Sequence, residues 1–95
     1  MFARVTKYKM NVGSRDEAIT IMENLKSEIM TLNGIQQFIN AGNEDGSGYI
    51  ISIIGSKEES DSNAERVKDI WGNFGALLEE IPTPEGFDVM VNWSN

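Results

Sequence analysis

The sequence predicts an α+β domain with the element order βαββαβ, and three features carry that prediction. A strongly periodic helix follows an opening strand. Two apolar strands flank a Gly- and Asn-rich turn near the middle. A second helical stripe runs into two prolines and a last alternating segment. Ninety-five residues supply one hydrophobic core and not two, so residues 1–95 are read as a single domain.

Phe2 to Met10 reads as the first strand, with β-formers and no Gly or Pro. Phe2, Arg4, Thr6 and Tyr8 share one side of it; Ala3, Val5, Lys7 and Lys9 share the other. After the break at Gly13, Ser14-Arg15-Asp16-Glu17 fits a capping box with Ser14 as N-cap. Ala18, Met22, Leu25, Ile29 and Leu32 then recur at helical spacing, and Ile21 and Met30 widen the stripe. Asn33-Gly34 stops this helix. Ile35 to Ala41 is the second strand and Tyr49 to Ile54 the third, joined as a hairpin through the cluster Asn43 to Gly48. Both Ser56-Lys57-Glu58-Glu59 and Ser62-Asn63-Ala64-Glu65 fit a capping box, so the second helix starts at one of them, with room for a short separate turn before it. Its stripe is Val67, Ile70, Trp71, Phe74, Leu77, Leu78 and Ile81. Gly72 and Gly75 weaken it by about 1 kcal/mol each. Pro82 and Pro84 end it, and Phe87 to Trp93 forms the last strand.

This order is the ferredoxin-like, split βαβ arrangement: a four-stranded antiparallel sheet with two helices on one face. Right-handed crossovers place both helices on the same side, which leaves the other side of the sheet bare. The third strand is nevertheless apolar on both parities, with Tyr49, Ile51 and Ile53 on one and Ile50 and Ile54 on the other. Strands of that kind are covered on both sides. The simplest cover is an identical copy, sheet against sheet, in a two-fold homodimer that encloses a chamber; the alternative is a monomer with an apolar exposed sheet.

Composition excludes several functions. Fifteen acidic against eight basic residues give a net charge of −7, which opposes nonspecific binding to nucleic acid. The RNA-recognition motif shares the βαββαβ order, but Ser47-Gly48-Tyr49-Ile50-Ile51 keeps only one aromatic where that motif needs several for stacking. There is no cysteine and no histidine, so thiol chemistry is absent and a metal site has little support. No Gly-rich loop opens a helix, so no phosphate cradle is expected. The carboxylates sit at helix starts, turns and helix ends, where they are solvated or cap helices. No stretch reaches the length of a membrane span, and Met1 to Val5 lacks signal-peptide features, so the expectation is a cytoplasmic protein with no membrane or nucleic-acid partner.

The chain resembles the antibiotic-biosynthesis-monooxygenase-like family of the dimeric α+β barrel superfamily. The likeness covers nearly all of it. It rests on Arg4-Val5-Thr6-Lys7-Tyr8 through Gly13-Ser14-Arg15-Asp16-Glu17-Ala18, on Asn33-Gly34-Ile35, and on a second helix bearing Trp71. The resemblance implies a dimeric α+β barrel in which each protomer keeps a pocket between its sheet and its helices or loops. It also implies a cofactor-independent monooxygenase acting on a small aromatic or quinone-like compound, which itself supplies electrons to oxygen. Such enzymes orient their substrate with Asn, Trp, Tyr and Arg side chains. The haem-degrading branch resembles this chain least, since its iron is held by histidine. The alternative readings are a non-catalytic homodimer that binds a small molecule and a stand-alone amino-acid-sensing domain of the same topology.

Seven residues are candidates for the pocket. Arg4 lies mid-strand on a covered face, where it either anchors an anionic or phenolate group or pairs with a carboxylate. Thr6 and Tyr8 share its parity. Trp71 lies on the apolar stripe of the second helix, either as core or stacked on a ligand. The phenols of Tyr8 and Tyr49 are candidate hydrogen-bond or proton donors, or half-buried interface residues. Asn40 and Ser52 interrupt apolar strands and mark where a pocket or water sits, or a strand end facing solvent. Trp93 is expected to pack across the dimer.

Overall fold

The computed structural model describes residues 1–95. Its elements are β1 (Phe2–Lys9), α1 (Arg15–Asn24), α2 (Lys26–Ile29), β2 (Ile35–Gly42), β3 (Ser47–Ile54), α3 (Lys57–Ser62), α4 (Ala64–Gly72) and β4 (Thr83–Asp88), with a 3-10 turn at Gly75–Leu77. The four strands form one antiparallel sheet in the order β2-β3-β1-β4, the ferredoxin-like arrangement. Each of the two expected helices is divided into a pair.

Register decides which residues share a face. Arg4 lies opposite Ser52 on β3 and Gly86 on β4, and Thr6 lies opposite Ile50 and Pro84. Phe38 of β2 is the next neighbour of Ser52. The side bearing Phe2, Thr6, Tyr8, Ile50 and Ile54 is buried. Tyr8 and Ile50 pack there in one core cluster with Met10, Ala18, Leu25, Ile29 and Phe74. The opposite side carries Ala3, Val5, Ile51 and Ile53, all half-buried, and Ile39, Tyr49 and Phe87, which are 41–50% exposed. The single chain leaves this apolar side without a helix over it.

Several expected boundaries move, each for a physical reason. Ser14 does not cap α1 with its side chain; its hydroxyl donates to the Asn11 carbonyl at 2.6 Å. Leu25 interrupts the first helix, yet the stripe survives the break, with Ala18, Leu25, Ile29 and Leu32 buried. Met30, expected to widen it, is 44% exposed. The turn after α2 needs Gly34 in the left-handed region, at φ +70°.

At the second helical segment, Ser56 is the N-cap and forms half of a capping box: its Oγ accepts the Glu59 amide at 3.2 Å, while the Glu59 carboxylate accepts the Ser56 hydroxyl at 3.1 Å and not the Ser56 amide. Ser62 closes none and donates to the Glu59 carbonyl instead. The main helix ends at Gly72, not at the prolines, because Gly72, Asn73 and Gly75 fall together at its end. Leu77 and Leu78 still pack against the core, while Ile81 is 90% exposed and lies outside it.

The last strand is Thr83–Asp88, not Phe87 to Trp93. Its partner explains the difference. Phe2, the first residue of β1, pairs with Asp88, so beyond that pair the sheet offers almost nothing to bond with. One hydrogen bond, from the Val89 amide to the Met1 carbonyl at 3.1 Å, is all that continues the ladder. Pro84 is tolerated because β4 is an edge strand. Val91 and Trp93 are exposed beyond it, with Trp93 at 90%.

Candidate functional site

The helices do not close down fully on the sheet. Between them lies a cavity of about 570 Å³, within the range of small-molecule sites. Its floor is the helix-bearing face of β1 and β3. Arg4 and Ser52 stand side by side across the two strands, Thr6 follows one row away, and Phe38, Ile50 and Ile54 surround them. Its walls are largely apolar, with Met22 and Ile29 from the first helical pair, Leu32 from the turn after it, and Val67, Ile70 and Trp71 from α4. Phe74 closes the interior, and Ile81, Pro82 and Pro84 border the β4 side.

Trp71 is held by aromatic contacts on two sides. Its ring centroid lies 5.9 Å from that of Tyr8 and 5.9 Å from that of Phe74, tilted in both cases. It is half-buried and forms part of the cavity wall. Asn63 also lines the cavity, but both ends of its amide are spent on the Asn33 backbone.

Arg4 links the floor to the rim. Its Nε and Nη2 donate to Ser60 Oγ at 3.2 and 2.9 Å, and Nη2 reaches Asp61 Oδ1 at 3.2 Å. The guanidinium also lies 5.2 Å from the centroid of the Phe2 ring. Asp61 is shared: Lys57 Nζ donates to its Oδ2 at 2.8 Å. That hydrogen bond, helped by the charges of Lys57 and Arg4, holds the Asp61 carboxyl below the ordinary carboxylate range. The same bond pushes the Lys57 ammonium above its usual value.

The cavity thus gathers four of the seven sequence candidates: Arg4, Thr6, Ser52 and Trp71. Tyr8 and Asn40 fall together elsewhere. The Tyr8 hydroxyl donates to Asn40 Oδ1 at 2.7 Å, and both line a separate polar recess of about 110 Å³ near Arg15 and Gly42. Burial raises the Tyr8 phenol pKa, an effect that the Arg15 charge partly opposes. Tyr49 lines neither cavity. It pairs with Lys7 on the outer side of the sheet and is 47% exposed, because its parity is opposite to that of Ile50. The cavity lies between the sheet and the helices of one chain.

Sequence reasoning missed Ser60, Asp61 and Lys68. Asp61 was read among the solvated carboxylates. The only signal for it was the demand that a mid-strand arginine find a partner, and that partner lies 57 residues away on α3. No group of three or more acidic, His or Cys side chains is placed to hold a metal ion. No helix is long and apolar enough to cross a membrane.

No family model matches the sequence, and no curated protein matches it. Solved structures do. A Caulobacter crescentus protein, provisionally named an antibiotic biosynthesis monooxygenase, superposes with a TM-score of 0.78 at 14% identity, covering 95% of this chain and 90% of that one. A Chloroflexus aurantiacus protein with the same provisional name gives 0.74 at 15% identity, covering 98% and 96%. The chain has the antibiotic biosynthesis monooxygenase-like fold. A protein of unknown function from Nitrosomonas europaea shares this fold as well, with a TM-score of 0.81 at 8% identity and coverage of 99% and 93%. The likeness is therefore one of backbone architecture, and the side chains of the cavity are this chain's own.

Proposed function

We propose that this protein binds a small aromatic or quinone-like compound in the cavity between sheet and helices and oxidises it with dioxygen, without a cofactor. The observation that carries the reading is the cavity itself: an apolar space of about 570 Å³ whose floor presents Arg4, Thr6 and Ser52 together and whose wall presents Trp71. A few converging polar groups in an apolar enclosure fit a flat ring that carries oxygens. Several fold neighbours are named antibiotic biosynthesis monooxygenases, which supports an oxidation by dioxygen.

In this reading the substrate is the reductant. Arg4 stabilises a phenolate, which raises electron density at an activated ring or benzylic CH2. Thr6 and Ser52 hydrogen-bond the substrate oxygens, and Trp71 stacks on the ring. Dioxygen adds at the activated carbon, and CH2 becomes C=O. One oxygen atom is kept and the other leaves as water, so the four electrons lost by carbon match the four gained by oxygen. The apolar walls exclude bulk water from this exchange. The protein works as a homodimer joined through the outer sheet face, where Tyr49, Ile51 and Ile53 would be covered.

Oxygen uptake with a panel of hydroquinones, naphthols and related phenols tests the reading. We expect uptake with at least one of them, and loss of it in Arg4→Ala and Trp71→Ala. Wild-type rates in both variants would remove these residues from the site, and no uptake with any compound would remove the oxidation.

A further inference from the structure

The charges around the cavity run against the charge of the molecule. The chain carries −7, yet the charged side chains that line the cavity are Arg4, Lys68 and Asp61, two cations against one carboxylate. Lys68, exposed on α4, takes part in none of the three salt bridges. Arg4 is the deeper cation: its side chain is 29% exposed, and its partner Asp61, at 51%, stands nearer to solvent.

Asp61 is placed to let go. One of its oxygens faces Arg4 at 3.2 Å, while the other keeps a shorter bond of 2.8 Å to Lys57. Giving up Arg4 therefore leaves Asp61 with a cationic partner. It also leaves Arg4 held through Nε and Nη2 by the Ser60 hydroxyl, with the Nη2 hydrogen that faced Asp61 released for a new oxyanion. An uncharged ligand gains nothing from this exchange, whereas an anionic one replaces one carboxylate on a partly desolvated guanidinium with another and meets Lys68 as well.

Resting on the reading of this cavity as the ligand site, we propose that its ligand is an anionic aromatic, a ring compound bearing a carboxylate or comparably acidic oxyanion, which takes the place of Asp61 on Arg4. Asp61 is then a specificity-determining residue: it holds Arg4 in the empty cavity, sets the cost of displacement and stays on Lys57 when displaced.

Calorimetric titration under nitrogen with 1-naphthoate and its neutral isostere 1-naphthamide tests this without requiring turnover. The wild-type protein should prefer naphthoate by about tenfold or more. Asp61→Asn, which removes the competing charge, should tighten naphthoate by about tenfold and leave naphthamide within about twofold. Arg4→Gln should erase the preference, and Lys68→Gln should reduce it by about threefold. Equal binding of the two compounds, or weaker naphthoate binding in Asp61→Asn, overturns the charge assignment while leaving the cavity as a ligand site. Failure of both compounds to bind overturns the charge assignment and the cavity reading together.

Discussion

Asn63, at the head of α4, is bonded twice to the backbone of Asn33, just ahead of β2. Its Oδ1 accepts the Asn33 amide at 2.9 Å, and its Nδ2 donates to the Asn33 carbonyl at 3.0 Å. Asn63 is 1% exposed, so the side chain acts as an internal clip between the second helical pair and the turn that follows the first. The clip ties the start of α4, where Asn63 lines the cavity, to the turn ahead of β2. Asn63→Ala removes both bonds and a buried side chain, and should cost about 1–3 kcal/mol in urea unfolding. Asn33→Ala keeps the backbone partners and loses only an exposed bond to Ser62, so it should stay within about 0.5 kcal/mol.

Tyr8 needs two glycines beside it. A Cβ on Gly42 would stand 2.7 Å from the Tyr8 hydroxyl oxygen, whereas the nearest backbone atom, the Ser47 carbonyl oxygen, is 3.5 Å away. Gly42→Ala should therefore cost about 1–3 kcal/mol through the hydroxyl alone. Most of that cost should vanish in a Tyr8→Phe background, as a double-mutant cycle of urea unfolding will read. At Gly48 the same background gives no rescue, because the backbone oxygen of Ala41 also lies within 2.7 Å of the added carbon.

The Tyr8 phenol should ionise above the ordinary tyrosine value of 10.0, because burial penalises the phenolate more than the Arg15 charge relieves it. The sign for stability follows. At neutral pH the phenol is protonated in folded and unfolded chains alike, so nothing is lost. As pH rises past 10, the unfolded chain loses the proton first, and stability falls until the folded phenol has titrated too. In a Tyr49→Phe variant Tyr8 is the only tyrosine left, and the pH midpoint of its tyrosinate absorbance should lie above that of the unfolded chain.

The outer sheet face should hold a second copy of the chain. Sedimentation equilibrium at micromolar concentration should give twice the monomer mass, and Ile51→Lys should shift it to the monomer, since that charge would sit mid-sheet beside Val5 and Ile39. A monomer mass for the unaltered chain contradicts the homodimer.

The parity of β1 was legible because its two sides differ in chemistry: Phe2, Thr6 and Tyr8 turn inward as their alternation with Ala3, Val5 and Lys7 implies. The helical stripe from Ala18 to Leu32 was legible for the same reason, although the break at Leu25 leaves the period nearly intact and so leaves no mark on it. β3 concealed its faces. Tyr49, Ile50, Ile51, Ile53 and Ile54 are apolar on both parities, and only the pairing with β1 sends Tyr49 outward and Ser52 into the cavity. β4 was misplaced because alternation continues through Trp93, while the strand ends where β1 runs out of residues to pair with. Asp61 was beyond reach in the sequence, since its role arises from a contact 57 residues away.

The central claim is that ligand enters between sheet and helices. Amide and indole NMR shifts during a titration with 1-naphthol under nitrogen test it most directly. Perturbations should gather at Arg4, Thr6, Ser52 and the Trp71 indole. Shifts gathered instead at Tyr49, Ile51 and Ile53 would place the ligand on the outer face of the sheet and contradict it.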